Sequence, residues 1–264
     1  MPSQRRDPMV TRKEIQAITD DIVREFRPLQ VILFGSHAYG TPREDSDVDL
    51  LVVMNIPKSE FRKKAIEIRQ RISYHFSLDL FVRSPQEIAY RVSYNDWFLR
   101  EITEKGELLH GSAVHYHVEN GHGTPNAPKQ EKDCMNPLTL EWIEKAEGDY
   151  RTAKWGQQAP DPVYDSICFH AQQCIEKYLK AWLQEANMPA PRTHNLEDLL
   201  ALIVPTLPAW HHWQPDFKII TAYAVDPRYP GDSATPDNTQ HAMHVCDEVR
   251  QTIRTQLKLV NPVN

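Results

Sequence analysis

Val31-Ile-Leu-Phe-Gly-Ser36 and, after ten intervening residues, Asp47-Val-Asp-Leu-Leu-Val-Val53 decide the reading of the first half of this chain. Both are short aliphatic runs with the composition of buried strands, and Gly35 stops the first of them. The second opens by alternating acid with aliphatic residue. Side chains two apart on a strand point to one face, so Asp47 and Asp49 project together while Val48 enters the core. Upstream, Thr11-Arg-Lys-Glu14 has capping-box spacing, and Ile15, Ile18, Ile22 and Phe26 recur at helical intervals before Pro28. They predict a helix over about residues 11–27. Downstream, a polar helix over about residues 58–75 leads into a third strand, Leu78-Asp-Leu-Phe-Val82, with an acid again at an alternate position. Residues 84–110 read as partly helical, from Ser84-Pro85 through a face of Trp97, Phe98 and Ile102 to Glu107-Leu-Leu-His-Gly111.

From Gly111 to Asn136 aliphatic residues nearly vanish, which predicts a linker. Beyond it only helical periodicity remains, in four stretches: Leu138 to Tyr150, Tyr164 to Trp182, Leu196 to Ile203, and Val245 to Leu257. The expected organisation is an N-terminal α/β (α+β) domain with a small mixed sheet over residues 1–110, a linker over 111–136, and an all-α bundle over 137–264. A length of 264 residues suits two such modules.

Composition narrows the class. No apolar run approaches the roughly 20 residues of a membrane span, and the basic N-terminus lacks a signal core. Cys134, Cys168, Cys174 and Cys246 are widely spaced without a C-x-x-C pair, which points to a reducing cytoplasm and away from zinc. A formal net charge of -6 speaks against extended nucleic-acid binding. His110, His115, His117 and His122 have no regular spacing and only Glu119 as a carboxylate companion, so they read as linker.

The acids carry the chemistry. Two carboxylates on one face repel unless a cation neutralises them, and Mg²⁺ takes oxygen ligands. Asp79, on an adjacent strand, completes a set able to hold two ions. The Gly35-Ser36 turn lets backbone approach an anion and offers a hydroxyl to phosphate. A triphosphate would lie between that turn and the metals.

Gly35-Ser36, then Asp47-x-Asp49, then a later strand acid at Asp79, resembles the DNA polymerase β-type minimal nucleotidyltransferases over about residues 11–110. The resemblance implies a small mixed sheet with helices on one side. It implies that Gly35 and Ser36 bind the nucleotide, that Asp47, Asp49 and Asp79 bind metal, and that Asp79 assists deprotonation of an attacking hydroxyl. The implied reaction transfers a nucleoside monophosphate, AMP from ATP, with Mg²⁺ in two positions. Phe169-His-Ala-Gln-Gln-Cys-Ile-Glu-Lys-Tyr-Leu-Lys-Ala181, then Thr193-His-Asn-Leu196 and Arg228-Tyr-Pro230, resembles HEPN domains over about residues 138–258. Such domains dimerise and partner minimal nucleotidyltransferases as toxin and antitoxin.

Active HEPN ribonucleases carry Arg, four to six residues, then His; here no His follows Arg228 before His241, so the nuclease motif is absent. The Arg69 and His75 pair has that spacing but falls in the other domain. Gln172, Gln173 and Lys177 read as structural, and Thr193-His194-Asn195 as a helix start with His194 exposed. The acceptor is a hydroxyl on a protein or small molecule, with Tyr229 a candidate in cis or in a second subunit. Two other readings compete: an antitoxin-like module that binds nucleotide without turnover, and a drug nucleotidyltransferase of the aminoglycoside type.

Overall fold

Thr11 starts the first helix, α1 (Arg12–Phe26), by a reciprocal cap. Its hydroxyl accepts from the Glu14 backbone N–H, and the Glu14 carboxylate accepts from the Thr11 N–H. Ile15, Ile18 and Ile22 form its buried stripe. The computed structural model describes residues 10–43, 46–113, 116, 135–223 and 233–259. In it the chain divides into two units, Met1–Asn126 and Ala127–Asn264.

The first unit is built on a mixed four-stranded sheet in the order β3-β2-β1-β4. Its strands are β1 (Gln30–Phe34), β2 (Val48–Val53), β3 (Leu78–Arg83) and β4 (Glu107–Gly111). β1 pairs antiparallel with β2 and with β4, while β2 and β3 run parallel. A parallel pair needs a crossover. Here α3 (Phe61–Arg71) supplies it, entered through a 3₁₀ turn at Lys58–Glu60, where one longer helix was expected.

Helices cover both faces of the sheet, which corrects the one-sided arrangement implied by the resemblance. Val31, Leu33, Val48, Leu50, Val52, Leu80 and Val82 pack against α1 and α3. Ile32, Phe34, Leu51 and Val53, with Phe81, pack against α4 (Pro85–Ser93) and α5 (Trp97–Lys105). Each central strand is apolar at nearly every position because it is buried from both sides.

β4 is a second correction. Glu107-Leu-Leu-His-Gly111 looks like a helix end, but α5 stops at Lys105 and the segment returns to pair with β1. It is an edge strand whose Glu107, Leu108 and Gly111 are exposed, so its residues carry no burial alternation to read. Residues assigned to the linker also pack on this unit. Tyr116 is buried, donating its phenolic O–H to Gln30 Oε1 at 2.6 Å, and the Gln30 amide donates to the Ser112 carbonyl. His115, His117, His122, Glu119 and Cys134 lie outside the described residues, as do Arg228, Tyr229 and Pro230.

The second unit is helical: α6 (Pro137–Gln157), α7 (Tyr164–Glu185), α8 (Leu196–Ile203), α9 (Gln214–Ala222) and α10 (Pro236–Gln256). α7 is central and packs against α6 and α10. Ile167, Cys168, Ala171, Cys174, Ile175, Tyr178 and Leu179 are all buried, more of its circumference than one stripe would bury. α9 was not foreseen. It is short, and it follows a 3₁₀ turn at Pro208–Trp213 whose Trp210 and Trp213 join the core. Cys168, Cys174 and Cys246 are free and buried, and burial pushes the Cys168 and Cys174 thiols up. Among the described residues no helix is long and apolar enough to cross a membrane.

Candidate active site

At the end of β1 the chain turns through Gly35 into the single helical turn α2 (Ser36–Tyr39). Gly35 has φ 69° and ψ -156°, a backbone conformation close to glycine-only. A Cβ placed there would lie 2.1 Å from Asp49 Oδ2. The glycine therefore makes room for the Asp49 carboxylate, a requirement that the sequence reading, which gave it only an anion to approach, did not see. The turn is closed by the Ala38 and Tyr39 N–H groups donating to the Gly35 carbonyl.

Strand register lines up the acids. Phe34 is the partner of Asp49 across β1 and β2, and Asp49 is the partner of Asp79 across β2 and β3. Register partners share a face, so Phe34, Asp49 and Asp79 form one row across three strands. Asp49 is half-buried, and Asp79 is exposed on the edge strand. Asp47 is exposed just before β2 and continues the alternation, with Val48 fully buried between the two acids. Neither the Asp47 nor the Asp79 carboxylate makes a hydrogen bond or ion pair with any described residue.

The structure thus brings Gly35, Ser36, Asp49 and Asp79 to one end of the sheet, with Asp47 at its rim. Their carboxylate oxygens are the hard donors that Mg²⁺ takes, and the glycine cradle fits the closest of them to the turn. Among the described residues no three His, Cys, Asp or Glu side chains already stand as a closed ligand set. His37 is a residue the sequence reading missed. It is buried, and its Nε2 lies 3.3 Å from the Ser46 carbonyl oxygen, tying the turn to the loop that delivers Asp47. Arg43 N–H donates to Ser46 Oγ at 2.8 Å in the same loop. The only sequence signal for His37 is its place directly after Gly35-Ser36.

Two family models match the chain. Residues 15–119 match the family model described as nucleotidyltransferase domain. A putative protein adenylyltransferase of Methanocaldococcus jannaschii is 34% identical over 96 residues, 36% of this chain and 87% of that protein. The chain belongs to the nucleotidyltransferase family. Residues 139–256 match the model described as HEPN domain, so the nucleotidyltransferase is followed in the same chain by a HEPN domain. Among solved structures, an archaeal HEPN homologue is 22% identical, with a TM-score of 0.38 over 45% of this chain and 97% of its own. An Enterococcus spectinomycin adenyltransferase, crystallised with ATP and spectinomycin, is 12% identical, with a TM-score of 0.45 over 92% of this chain and 100% of its own.

In the HEPN domain the polar residues of α7 are tied to each other and to their neighbours. Gln172 is fully buried and donates to the His194 carbonyl at 2.9 Å. Gln173 donates to Gln172 Oε1 at 2.9 Å, and Lys177 donates to Asp149 and to Gln173. Glu176 is buried beside Lys180 and His194. Burial pushes its carboxyl up, but the Lys180 charge and the hydrogen bonds from Lys180 and His194 outweigh burial and hold it below the usual carboxylate range. Asn195 caps α8 by accepting from the Glu197 and Asp198 N–H groups, and the His194 side chain is exposed. Arg69 donates to the Leu80 carbonyl and His75 contacts Glu14, so these two side chains serve separate local contacts in the first unit.

Proposed function

We propose that this nucleotidyltransferase transfers AMP from ATP, with Mg²⁺, to a hydroxyl on a protein or small molecule, and that its HEPN domain is not a ribonuclease. The observation that carries the reading is the row of Asp49 and Asp79 at the end of the sheet, packed against a turn in which only glycine fits. The relative's description as a protein adenylyltransferase supports AMP as the group moved and a protein as acceptor. For the HEPN domain, the support is the absence of any histidine between Arg228 and His241.

Asp47, Asp49 and Asp79 would hold the cations, whose positive charge offsets the negative charge that builds on the entering and leaving oxygens. The chain's own side chains divide the remaining work. The Ser36 hydroxyl donates to the phosphates that leave, on the β1 side of the row. Asp79, exposed on the opposite, edge strand, orients the acceptor hydroxyl and takes its proton as the oxygen attacks the α-phosphorus and the bond to pyrophosphate breaks. His37 keeps the loop bearing Asp47 against the turn.

The test is pyrophosphate release from each of the four NTPs with Mg²⁺, run beside the Asp47→Ala/Asp49→Ala double variant, with and without added protein acceptor. ATP-dependent release that the double variant lacks supports the reading, and equal release by both chains removes it. Tight ATP binding with only background release would turn the reading to a nucleotide-binding, antitoxin-like module. Release that depends on an added aminoglycoside would turn it to drug modification. Intact mass after incubation with ATP reports whether the chain modifies itself, Tyr229 included, and sedimentation reports whether the HEPN domain pairs two copies.

A further inference from the structure

We propose that the solvent face of α6 is the surface through which two copies of this chain pair, in an antiparallel two-fold contact centred on Gly148.

Glycine inside a helix destabilises it relative to alanine, and is of use where another backbone must come close. Gly148 stands near the middle of α6, and a Cβ built there would meet nothing within 4 Å. The packing of the protomer therefore does not require glycine at this position. Leu140 and Trp155 flank it on the same helix and are 48% and 70% exposed, Trp155 more than any other large apolar side chain among the described residues. At 3.6 residues per turn, Leu140, Glu144, Gly148, Arg151 and Trp155 fall within about 80° of arc. The buried Ile143, Ala146 and Ala153 of α6 occupy the opposite side. Ile66 on α3, by contrast, stands exposed as a single apolar residue beside Arg62, Lys63 and Gln70, an ordinary surface arrangement.

The order of residues around the glycine selects a second copy as the occupant. Leu140 lies eight residues before Gly148 and Trp155 seven after it, while Glu144 lies four before and Arg151 three after. A two-fold axis at Gly148 relating antiparallel helices sets each residue against one equally far beyond the axis on the other copy. Leu140 then meets Trp155 of the partner subunit, and Glu144 meets Arg151 of the partner subunit. Both contacts recur on the other side of the axis, and the two glycines let the backbones close between them. Parallel helices would instead set Glu144 on Glu144 and Arg151 on Arg151, like charge against like. Both charged side chains are exposed, and neither forms an ion pair with a described residue. Arg151 donates through Nε to the Glu147 carbonyl at 3.3 Å, which leaves its two terminal nitrogens for a carboxylate. An unrelated partner would give no reason for apolar and charged residues of opposite sign to match in order on both sides of one glycine.

The full-length chain is tested by sedimentation equilibrium over the micromolar range, where the wild type is expected to pass from monomer to dimer. Gly148→Arg, which places a long charged side chain on the axis, should remain monomeric, and Trp155→Ala should weaken association about tenfold. Glu144→Arg and Arg151→Glu each set like charges across both outer contacts and should weaken it about tenfold or more. The double variant Glu144→Arg/Arg151→Glu should associate as the wild type does. Residues seven apart are not neighbours on one helix, so that rescue arises only between copies. A wild type that stays monomeric throughout the range overturns the proposal. So does a dimer that Gly148→Arg and both reversals leave intact, because it would form through another face. Single reversals that weaken association without rescue in the double variant overturn the antiparallel pairing. If Gly148→Arg unfolds at lower urea than the wild type, the charge swap decides.

Discussion

In the HEPN domain Glu147 stands among three partners. Arg250 donates to both its oxygens at 2.7 and 3.0 Å, Arg254 donates at 3.3 Å, and the Tyr178 phenol donates to Oε1. In the nucleotidyltransferase domain the Asp47 and Asp79 carboxylates have no hydrogen-bond or ion-pair partner among the described residues, and Gly35 lets the turn press against Asp49. A carboxylate withdrawn from water and fully paired holds helices in register. Exposed carboxylates without a partner do nothing for the fold and can take a cation that arrives with substrate. The difference gives each domain its own expected response to loss of an acid, in stability for one and in activity for the other.

The largest effect should come from Glu147→Ala. Glu147 and its partners are mostly buried, with side-chain exposures of 21% for Glu147, 14% for Arg250 and 8% for Arg254. Removing the acid takes the shared carboxylate from two guanidinium groups, and breaking one side of such a network costs about 3–5 kcal/mol. Urea unfolding followed by tryptophan fluorescence reads this directly, because Trp182, Trp210 and Trp213 lie in the HEPN core. The same group sets an acid limit. Burial pushes the Glu147 carboxyl up, but the Arg250 and Tyr178 hydrogen bonds and the two arginine charges outweigh burial and hold it below the usual range. A lowered folded-state value means its stabilisation is fully present above the unfolded value, about pH 4, and is lost as pH falls through the folded one. The gap between wild type and Glu147→Ala should therefore close on acidification. A gap that persists undiminished at low pH would break the comparison.

Asp49→Ala and Asp47→Ala should act on the other axis. Each is expected to lower pyrophosphate release by about 10²–10³-fold, the size of losing one preorganised electrostatic group. Melting of Asp47→Asn and Asp79→Asn should match the wild type, since neither acid has a partner to lose. A clear drop in melting temperature for either would make these acids structural and erase the contrast. Gly35→Ala should move both readouts. Forcing a side chain into this backbone region costs about 1–3 kcal/mol, and the added methyl drives into Asp49. Loss of activity with unchanged urea unfolding would show that the turn relaxes by moving the carboxylate instead of straining.

How much of this the sequence discloses depends on whether the deciding contact is local. The α1 cap, the in-out alternation around Val48 and the α8 cap at Asn195 are written within a few residues, and the structure has all three. β4 was hidden because Glu107 to Gly111 becomes a strand only through pairing with β1, more than seventy residues earlier in the chain by about any register pair. The second helical layer was hidden for the same reason: nothing in Ile32 or Phe34 says which helix covers it. At the site, spacing gave Gly35, Ser36, Asp47, Asp49 and Asp79 as candidates. The Gly35 to Asp49 approach and the His37 contact with Ser46 depend on register, which no motif encodes.

The smallest expected effect sharpens the comparison from the solvent side. His212 pairs with Glu248 at 2.9 Å, but the side chains are 57% and 43% exposed, and water competes for both partners. His212→Ala should change HEPN unfolding by about 0.5 kcal/mol or less, within the range of exposed pairs. The Glu248 hydrogen bond, then the Ala209 carbonyl, raise the His212 imidazole above its ordinary value. A raised folded-state value means the contribution is fully present below the unfolded value, about pH 6.5, and fades as pH rises through the folded one. Wild type and His212→Ala should thus differ slightly at mildly acidic pH and coincide at alkaline pH, the reverse of the Glu147 pair. Parallel pH profiles for the two variants would mean that protonation elsewhere in the HEPN domain, not these two contacts, sets its limits.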